Sequence, residues 1–545
     1  MIVPADHQPP LDLDKLIVRD TPGDEATPLD VLFVGAGPAG LAGAIRLAQL
    51  VRDDPELGEI EIGVLEKANS LGEHSLSGAV VNPRPFRELF PEVGDDDLPF
   101  FGPVRGENVY WLSETGKLRI PTPSEMSNHG HFTASICEIV RWLGERASEL
   151  GVNVFEGFPA ESLLVEGTRV AGVRTTATGL DRDGNPGGGY MPPNDLTARV
   201  TVLSDGTRSS LAQAWQSWQG IAAPNPQIYA LGVKELWETQ RPLDSVVHTL
   251  GWPLPKDAFG GSWLYPMGEG LVSLGLVVGL DYARHTLDVH ELTQRLKQHP
   301  VIAEILEGGE MVEWGAKTIP EGGFHSLPER LHGDGMLVVG DAAGLVNVAA
   351  LKGIHYAMHS GMLAAEAIHR ALKADDTSRT TLAHYDGALR ESYVVEDLRR
   401  TRNMRLAFKS GFWVGGLKAW LMSVTRGVFP GGTIRTPEDA AEPRRVEAAA
   451  EFRPDGQRTF SKVDAVFRSG NATRDDIPSH LAATADVPPD VAEFYEHLCP
   501  AGVYERNGER LVVNAPNCID CKATDVLGPR WSPREGGAGP AYKRM

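Results

Sequence analysis

The stretch Asp30-Val-Leu-Phe-Val-Gly35-Ala-Gly37-Pro-Ala-Gly40-Leu41 decides the fold. Its apolar start is typical of a buried parallel strand, and residues 41–50 predict a helix. Three glycines at the G-x-G-x-x-G spacing join the two: one makes the tight turn, one lets backbone approach a pyrophosphate, and one lets the helix pack on the strand. The stretch therefore predicts a dinucleotide site with its phosphate at the helix N-terminus.

An acidic residue, Glu66, ends the next predicted strand, which covers residues 60–65. It lies further along than the usual ~20 residues, because residues 52–58 lengthen the connection. A carboxylate here suits a ribose 2′-OH, and the small residues Ser77-Gly78 suit a loop that passes close to a cofactor. The alternatives are a glycine turn without a ligand and a plain surface turn.

Composition bounds the function classes for this chain of 545 residues, which has room for several domains. The chain contains no run of 18 apolar residues, so no transmembrane helix is predicted. Residues 1–27 are expected to be a loose arm without a signal peptide. The net charge of −21 argues against nucleic acid and suits a basic or locally basic protein partner. Four cysteines in so long a chain indicate a reducing compartment.

Two later strands also run into glycine turns, at Asp205-Gly206 and at Gly340-Asp341. Repeated returns to one sheet are what a flavin-binding fold needs and a simple NAD domain does not. Asp341 is expected to accept a hydrogen bond from a ribityl hydroxyl. The helix that begins near Lys352-Gly353 is expected to face the electron-rich pyrimidine edge of a flavin. A capped helix start without a ligand is the alternative.

From residue 228 onward the pattern changes to a mainly antiparallel sheet. Phe259-Gly260-Gly261 lies within it among aromatic residues. Paired glycines there give accessible backbone groups inside an apolar pocket, which suits a flat, apolar ligand with two carbonyl groups. A plain hairpin turn is the alternative.

Residues 404–429 are apolar and aromatic, and between residues 396 and 426 seven basic residues accompany two acidic ones. A locally positive, aromatic segment in an acidic protein predicts an interfacial helix that lies in the plane of a membrane. A buried core helix is the alternative.

Three cysteines lie near the C-terminus. Cys499 is followed by proline, as at the cysteine–proline corner of cluster-binding ferredoxins, and Cys518 and Cys521 form a C-x-x-C pair. Four thiolates would hold an iron–sulfur cluster, and only three are present.

An ordered set of segments allows a family to be suggested. The chain closely resembles the electron-transfer flavoprotein:ubiquinone oxidoreductase family over about residues 30–545. The resemblance implies FAD, one [4Fe–4S] cluster, a position on one leaflet of an energy-conserving membrane, and electron transfer from reduced electron-transfer flavoprotein to ubiquinone. The segments are GAGPAG (35–40), LSGA (76–79), NHG (128–130), GVKELW (232–237), GWP (251–253), GGSWLY (260–265), EGGF (321–324), GDAAG (340–344), PDGQ (454–457), CPAGVYE (499–505), NCIDCK (517–522) and EGGAGPAY (535–542).

The resemblance also implies site residues by position. The FAD set is Gly35, Gly37, Gly40, Glu66, Lys67, Ser77, Gly78, Asp205, Gly206, Gly340, Asp341, Lys352 and Gly353. Phe259, Gly260 and Gly261 match the quinone contact, and Cys499, Cys518 and Cys521 match three cluster ligands. No catalytic side chain is implied, because the cofactors carry the electrons.

The sequence departs from the family pattern at Thr524, where the family has the last cysteine of C-x-x-C-x-x-C. Four interpretations stay open. The cluster is [3Fe–4S]; or it is [4Fe–4S] completed by Thr524, Asp525 or water; or it has been lost; or the three cysteines and His497 bind zinc. A retained iron–sulfur cluster is favoured.

The predicted fold class is α/β plus α+β. A Rossmann-like FAD domain of the glutathione-reductase/hydroxylase type comprises residues 28–225 and 326–395. The other units are an N-terminal arm (1–27), an antiparallel-sheet quinone domain (226–325), a membrane-surface helical segment (396–436) and a C-terminal ferredoxin-like iron–sulfur domain (437–545).

The leading hypothesis is a membrane-surface oxidoreductase that takes electrons from electron-transfer flavoprotein and reduces ubiquinone or menaquinone. It would be monotopic on the inner face of an energy-conserving membrane, with a bacterial cytoplasmic membrane favoured over a mitochondrial one. The alternatives are a soluble FAD-dependent dehydrogenase or hydroxylase of a small apolar substrate, and a non-enzymatic electron-transfer subunit that has lost its cluster.

Overall fold

Two large sheets organise the chain in this computed structural model, which describes residues 1–23, 25–483, 486–508 and 510–545. The strands are β1 (Ile17–Val18), β2 (Thr27–Val34), β3 (Ile62–Glu66), β4 (Val80–Val81), β5 (Gly102–Pro103), β6 (Glu107–Leu112), β7 (Lys117–Ile120), β8 (Phe132–Thr133), β9 (Asn153–Glu156), β10 (Ala160–Glu166), β11 (Arg169–Thr175), β12 (Thr178–Leu180), β13 (Pro186–Met191), β14 (Asp195–Leu203), β15 (Tyr229–Glu238), β16 (Val246–Gly251), β17 (Gly260–Pro266), β18 (Leu271–Gly279), β19 (Glu310–Pro320), β20 (His332–Gly333), β21 (Met336–Val338), β22 (Leu481–Ala482), β23 (Tyr504–Asn507), β24 (Arg510–Val513) and β25 (Arg530–Trp531).

Helices cover the faces and ends of these sheets. They are α1 (Leu13–Leu16), α2 (Pro38–Arg52), α3 (Arg84–Leu89), α4 (Ile136–Glu149), α5 (Ser210–Trp218), α6 (Val289–Gln298), α7 (Pro300–Ile305), α8 (Ile354–Lys373), α9 (Arg379–Glu391), α10 (Tyr393–Thr401), α11 (Met404–Ala407), α12 (Phe412–Val424), α13 (Lys462–Phe467), α14 (Pro489–Leu498) and α15 (Ala523–Leu527).

The first sheet confirms the predicted returns of the chain. Its order is β1-β10-β11-β14-β2-β3-β9, and β21 also pairs with β14. Strands β2, β14 and β21 run parallel, with Leu203 opposite both Val34 and Val338. Their carboxyl ends therefore meet at one edge, where a doubly wound sheet binds ligands. Apolar side chains such as Val31 and Phe33 are fully buried here, which is why these runs form central strands.

The second sheet has the order β19-β15-β18-β17-β16-β6-β7 and is antiparallel except between β16 and β6. Strands β6 and β7 come from residues predicted to belong to the FAD domain (28–225). That boundary differs from the structure because Val109 and Leu112 of β6 are buried within the second sheet. Long-range pairing of this kind leaves no local signal in the sequence.

The N-terminal residues also differ from expectation, and the C-terminal residues pack closely on the second sheet. Residues 1–27 are not a loose arm: Ile2 bridges to Arg444, and β1 pairs with β10. Leu16 and Ile17 enter the first core, and their burial fixes this segment. The C-terminal region packs against the second sheet, because residues such as Phe494 and Trp531 share one apolar core with it.

The segment from α11 to α12 presents apolar side chains to solvent. Trp413 is 82% exposed and Trp420 is 60% exposed, and Leu417 and Val424 are exposed as well. This exposure contradicts the alternative of a buried core helix. Among the residues that the structure describes, no helix has both the length and the apolar character needed to cross a membrane.

Candidate functional site

The glycine loop after β2 leaves space in front of helix α2. A side chain at Gly40 would collide with the Gly35 carbonyl oxygen and would lie 2.6 Å from Ser204 Oγ, so this glycine permits close helix–strand packing. A side-chain carbon at Gly37 would meet nothing within 4 Å. The open space therefore lies where the free N–H groups of a helix N-terminus attract an anion.

The acid at the end of β3 is half-buried. Glu66 Oε1 accepts a hydrogen bond from the Ala68 amide at 2.8 Å, and burial raises the pKa of Glu66. Lys67 points elsewhere, because its Nζ lies 2.6 Å from Asp520 Oδ2. Lys67 therefore links this loop to the cysteine-rich segment.

The other two strand ends supply acids with open space around them. Asp205 Oδ1 is buried without a hydrogen-bond partner among the described residues, and a side chain at Gly206 would meet nothing within 4 Å. Burial raises the pKa of Asp341 to about 6. Asp341 and Gly344 line a cavity of about 410 Å³, within the usual range for ligand sites. The unpartnered Asp205 oxygen, the open N-terminus of α2 and the cavity beside Asp341 each suit a group that carries phosphates and hydroxyls, such as FAD.

The Ser77-Gly78 loop is held by side chains of the second sheet. Lys234 Nζ donates to the Ser77 carbonyl at 2.8 Å, and Ser273 Oγ donates to the Gly78 carbonyl at 2.8 Å. The Tyr265 ring lies close to Gly78, so that a side chain there would meet the ring at 2.8 Å. The loop is therefore fixed between the two sheets rather than free at the surface.

Helix α8 begins beside a buried polar group. Lys352 Nζ donates to the side-chain oxygen Asn128 Oδ1 at 2.6 Å, and the backbone N–H of Asn128 donates to Glu107 Oε1 at 2.5 Å. Burial lowers the pKa of Lys352 to about 8. Gly353 is the N-cap residue of this 20-residue helix. The free N–H groups in the first turn of the helix therefore lie close to Lys352 in the chain.

Phe259, Gly260 and Gly261 lie at and just before the start of β17. A side chain at Gly260 would collide with the Val277 carbonyl oxygen, and one at Gly261 would lie 3.0 Å from the Thr249 carbonyl oxygen. Strand packing therefore explains Gly260 without any ligand, whereas Gly261 has slightly more room. Further along β17, the Tyr265 hydroxyl lies 2.8 Å from His248 Nε2.

Arg405 ties this strand to the exposed helical segment. Its guanidinium lies 4.1 Å from the centre of the Phe259 ring, within cation–π range. Its Nε donates to Glu321 at 2.6 Å, and its Nη2 donates to Asp281 at 2.7 Å. The Phe408 ring centre lies 5.4 Å from that of Phe259.

Three of the four cysteines meet at one place. Cys499, Cys518 and Cys521 are buried and line one small cavity together with Thr524. Cys137 is engaged elsewhere, because its Sγ donates to the Ser75 and Met545 carbonyl oxygens. The chemistry of this donor set fits a cluster held by three thiolates and does not fit one held by four.

Asp520, between the cysteines of the C-x-x-C pair, is the centre of a buried ionic group. Its Oδ1 accepts from Arg534 Nη2 at 2.8 Å and from Trp531 Nε1 at 3.1 Å, and its Oδ2 binds Lys67. Burial alone would raise the pKa of Asp520, but Arg534 and Lys67 hold it well below the usual range. The ion group thus joins the cysteine loop to the loop after Glu66.

We expect Asp520→Asn to lower the free energy of unfolding by about 3 kcal/mol, because it leaves buried cations uncompensated. Urea unfolding of the full chain measures this. Asp53→Asn makes the same change at the exposed Arg52–Asp53 pair and should alter stability by less than about 0.5 kcal/mol. Equal effects of the two substitutions would contradict the assignment of Asp520 as the centre of a buried ionic group.

Comparison with known proteins identifies the chain. The model described as "ETF-QO, ubiquinone-binding" matches residues 229–319, and the model "Electron transfer flavoprotein-ubiquinone oxidoreductase, 4Fe-4S" matches residues 456–543. The fold and these matches define a flavoprotein oxidoreductase with an iron–sulfur region.

Curated relatives narrow this class to one family. The mitochondrial electron transfer flavoprotein-ubiquinone oxidoreductase of Oryza sativa is 36% identical over 96% of this chain and 94% of its own length. The Homo sapiens protein of the same name is 38% identical over 95% of this chain and 89% of its own. The chain belongs to the electron transfer flavoprotein-ubiquinone oxidoreductase family.

Solved structures support the fold alone. A geranylgeranyl bacteriochlorophyll reductase-like protein from Thermoplasma acidophilum matches with a TM-score of 0.57 and 20% identity, covering 75% of this chain and 93% of that one. The myxobacterial halogenase CndH matches with a TM-score of 0.52 and 20% identity, covering 74% and 92%. Both confirm the predicted α/β plus α+β class.

Sequence analysis missed the side chains that join the sites. Lys234 and Ser273 of the second sheet hold the Ser77-Gly78 loop, and Arg405 of α11 binds Glu321 and Asp281. All of these partners lie far away in the chain. Asp520 was visible between two cysteines, but its partner Lys67 is 453 residues distant. Only a charged residue inside a buried C-x-x-C loop signals that a partner must exist.

Proposed function

We propose that this protein takes electrons from reduced electron transfer flavoprotein and passes them through FAD and an iron–sulfur cluster to ubiquinone. The observation that carries the proposal is the Lys67–Asp520 contact of 2.6 Å, because it joins the loop after the ribose acid to the loop between two cluster cysteines. Two redox sites built on touching loops suit electron transfer between them.

The chain's own groups would hold FAD in four places. Glu66 would accept from the adenosine ribose, the N-terminus of α2 at Gly37 would bind the pyrophosphate, and Asp341 would accept from the ribityl chain. The start of α8 at Gly353 would interact with the pyrimidine part of the flavin. When bound, FAD accepts electrons singly or in pairs, so it can join a one-electron donor to a two-electron acceptor.

Gly35 and Gly40 keep the first turn tight, and Gly340 does the same at the end of β21. Ser77 and Gly78, held by Lys234 and Ser273, would contact the cofactor. Asp205 and Gly206 border the same edge of the sheet. Lys352 stays near the flavin end through Asn128, whereas Lys67 serves the contact with Asp520.

The quinone head group would bind at Gly261, between the flavin edge and the exposed helix. The cation–π contact of Arg405 with Phe259 supports this, since it brings the membrane-facing segment to the start of β17. We expect Gly261→Ala to lower ubiquinone turnover at least about tenfold, because a methyl group would lie 3.0 Å from the Thr249 carbonyl oxygen and would shift the backbone that contacts the quinone. Steady-state quinone reduction measures it. Flavin content and reduction of the flavin by the partner should stay unchanged; full quinone turnover would refute the assignment.

The exposed apolar face of α12 supports monotopic membrane binding. Trp413, Leu417, Trp420 and Val424 would enter the interface, while Lys418 and Arg426 would meet headgroups. The curated relatives are named as mitochondrial proteins, so they do not support the predicted preference for a bacterial membrane. The proposal therefore extends to the inner face of an energy-conserving membrane of either kind.

We expect the double variant Trp413→Ser/Trp420→Ser to bind liposomes at least about tenfold more weakly, because burial of each indole contributes more than 1 kcal/mol. Co-sedimentation with vesicles of mixed anionic and neutral lipid measures this. Phe467→Ser removes an aromatic residue that is 83% exposed on a different helix and should leave binding unchanged. An equal loss in both variants would contradict a specific membrane face.

A soluble flavin dehydrogenase is the second candidate, favoured only by the fold shared with halogenases and reductases. Steady-state assays of the purified holoprotein separate the two. The proposal expects ubiquinone reduction with reduced electron transfer flavoprotein and none with NADH or NADPH. Oxidation of NADH or NADPH without the partner protein would favour the soluble enzyme. Flavin reduction by the partner without quinone turnover would favour a non-enzymatic electron-transfer subunit.

A further inference from the structure

The cysteine cavity offers three thiols and one hydroxyl to a cluster. Cys499, Cys518 and Cys521 line it, and Thr524 lines the remaining part from the first turn of α15. Thr524 is 8% exposed, so its side chain faces the cavity rather than bulk solvent. A four-iron core needs four ligands, and the fourth cysteine of the chain, Cys137, is bonded elsewhere.

The acids near the cavity are already engaged. Asp525 Oδ2 accepts from Arg208 Nε at 2.9 Å, and its Oδ1 accepts from the Trp531 amide at 3.0 Å. Both oxygens of Asp520 are likewise bonded to cations or to an indole. Neither carboxylate can turn to iron without leaving a buried cation unpaired.

The two nearby histidines lie outside the lining of the cavity. His497 Nδ1 lies 3.6 Å from Asp288 Oδ2 and does not line the cavity. His480 is buried, neither of its ring nitrogens has a hydrogen-bond partner among the described residues, and it lies within 4.8 Å of the Cys518 thiol and the Asp520 carboxylate. It does not line the cavity either.

We propose that one corner of the cluster, at Thr524, has no strong protein ligand and holds an exchangeable iron. A neutral hydroxyl is a weak ligand for iron that prefers thiolate. This corner would take a ferrous ion, with solvent or an external thiolate completing its coordination. The proposal rests on the proposed function only in assigning a cluster to the three cysteines.

The exchange is a balanced redox step. An external one-electron oxidant such as ferricyanide removes one electron from the four-iron core, which then releases one ferrous ion to solvent. The three-iron core that remains keeps all its sulfides and its bonds to Cys499, Cys518 and Cys521. One electron from a reductant and one ferrous ion restore the four-iron core.

The test uses the full-length holoprotein, reconstituted anaerobically and treated with ferricyanide and a chelator. Iron and sulfide per chain and the EPR signal of a three-iron core are measured. The wild type should lose about one iron in four, keep its sulfide, show the signal, and recover with ferrous ion and dithionite. Thr524→Cys should keep all its iron and show no signal, while Thr524→Val should behave like the wild type.

Three results would overturn the proposal. Iron retained by the wild type but lost by Thr524→Val would make the hydroxyl a ligand. Iron retained by the wild type but lost by His480→Leu would make the histidine a ligand. Zinc at one per chain without sulfide would remove the cluster itself. All readouts are independent of quinone turnover, so failure of the proposed electron acceptor leaves this test intact.

Discussion

Gly37→Val should raise the dissociation constant of FAD about a hundredfold, or about 2.8 kcal/mol, while the apo-protein keeps its stability. The reason is the geometry of the loop: a side chain at Gly37 meets nothing within 4 Å, and its backbone is extended at φ −80° and ψ −177°. The new side chain would occupy only the space where the pyrophosphate must lie. Flavin titration and thermal unfolding of the apo-protein measure the two effects.

The matched control is the same substitution three residues further along the chain, inside helix α2. Gly40→Val should lower the stability of the apo-protein by about 3 kcal/mol, because its side chain would collide with the Gly35 carbonyl and Ser204. Normal FAD binding by Gly37→Val would show that the pyrophosphate does not lie at this helix.

Cys521→Ala should remove more than about nine-tenths of the iron and sulfide and leave the flavin content unchanged. Cys521 lines the cluster cavity together with Cys499 and Cys518, and a three-thiolate set has no spare ligand. Chemical analysis of iron, sulfide and flavin in one purified sample measures this. Electron transfer from the partner flavoprotein to quinone should fall with the iron.

Cys137→Ala is the control for the loss of a buried thiol. Its thiol bonds to the Ser75 and Met545 carbonyls, away from the cavity, so iron and sulfide should stay at the wild-type level. Loss of iron from this variant, or iron retained by Cys521→Ala, would refute the assignment of the cluster ligands.

The parts of the fold that follow from local pattern were predictable from the sequence. Helix α2 and strand β3 follow from apolar periodicity and glycine spacing, and the ends of β14 and β21 follow from their glycine turns. The exposed face of α12 follows from an aromatic run among basic residues. In each case the physical cause lies within a dozen residues of the feature.

Features that depend on distant partners were not predictable. Strand β6 joins the second sheet by pairing with β16, more than a hundred residues away, and β7 follows by pairing with β6. Ile2 pairs with Arg444, more than four hundred residues away in the chain. Lys67 belongs to the FAD set that the family resemblance implies, and only the fold brings Asp520 to it. Residues such as Gly260 need glycine for strand packing, which a sequence motif cannot separate from ligand binding.

The central claim is that reduced electron transfer flavoprotein donates to FAD in this chain and that ubiquinone accepts from it. An anaerobic titration tests it most directly: reduced partner is added to the holoprotein in detergent or liposomes, followed by a ubiquinone analogue, with the flavin absorbance recorded throughout. The account predicts that the flavin band bleaches on adding the partner and returns on adding quinone. A flavin band that the reduced partner leaves unchanged, or that quinone fails to restore, would contradict it.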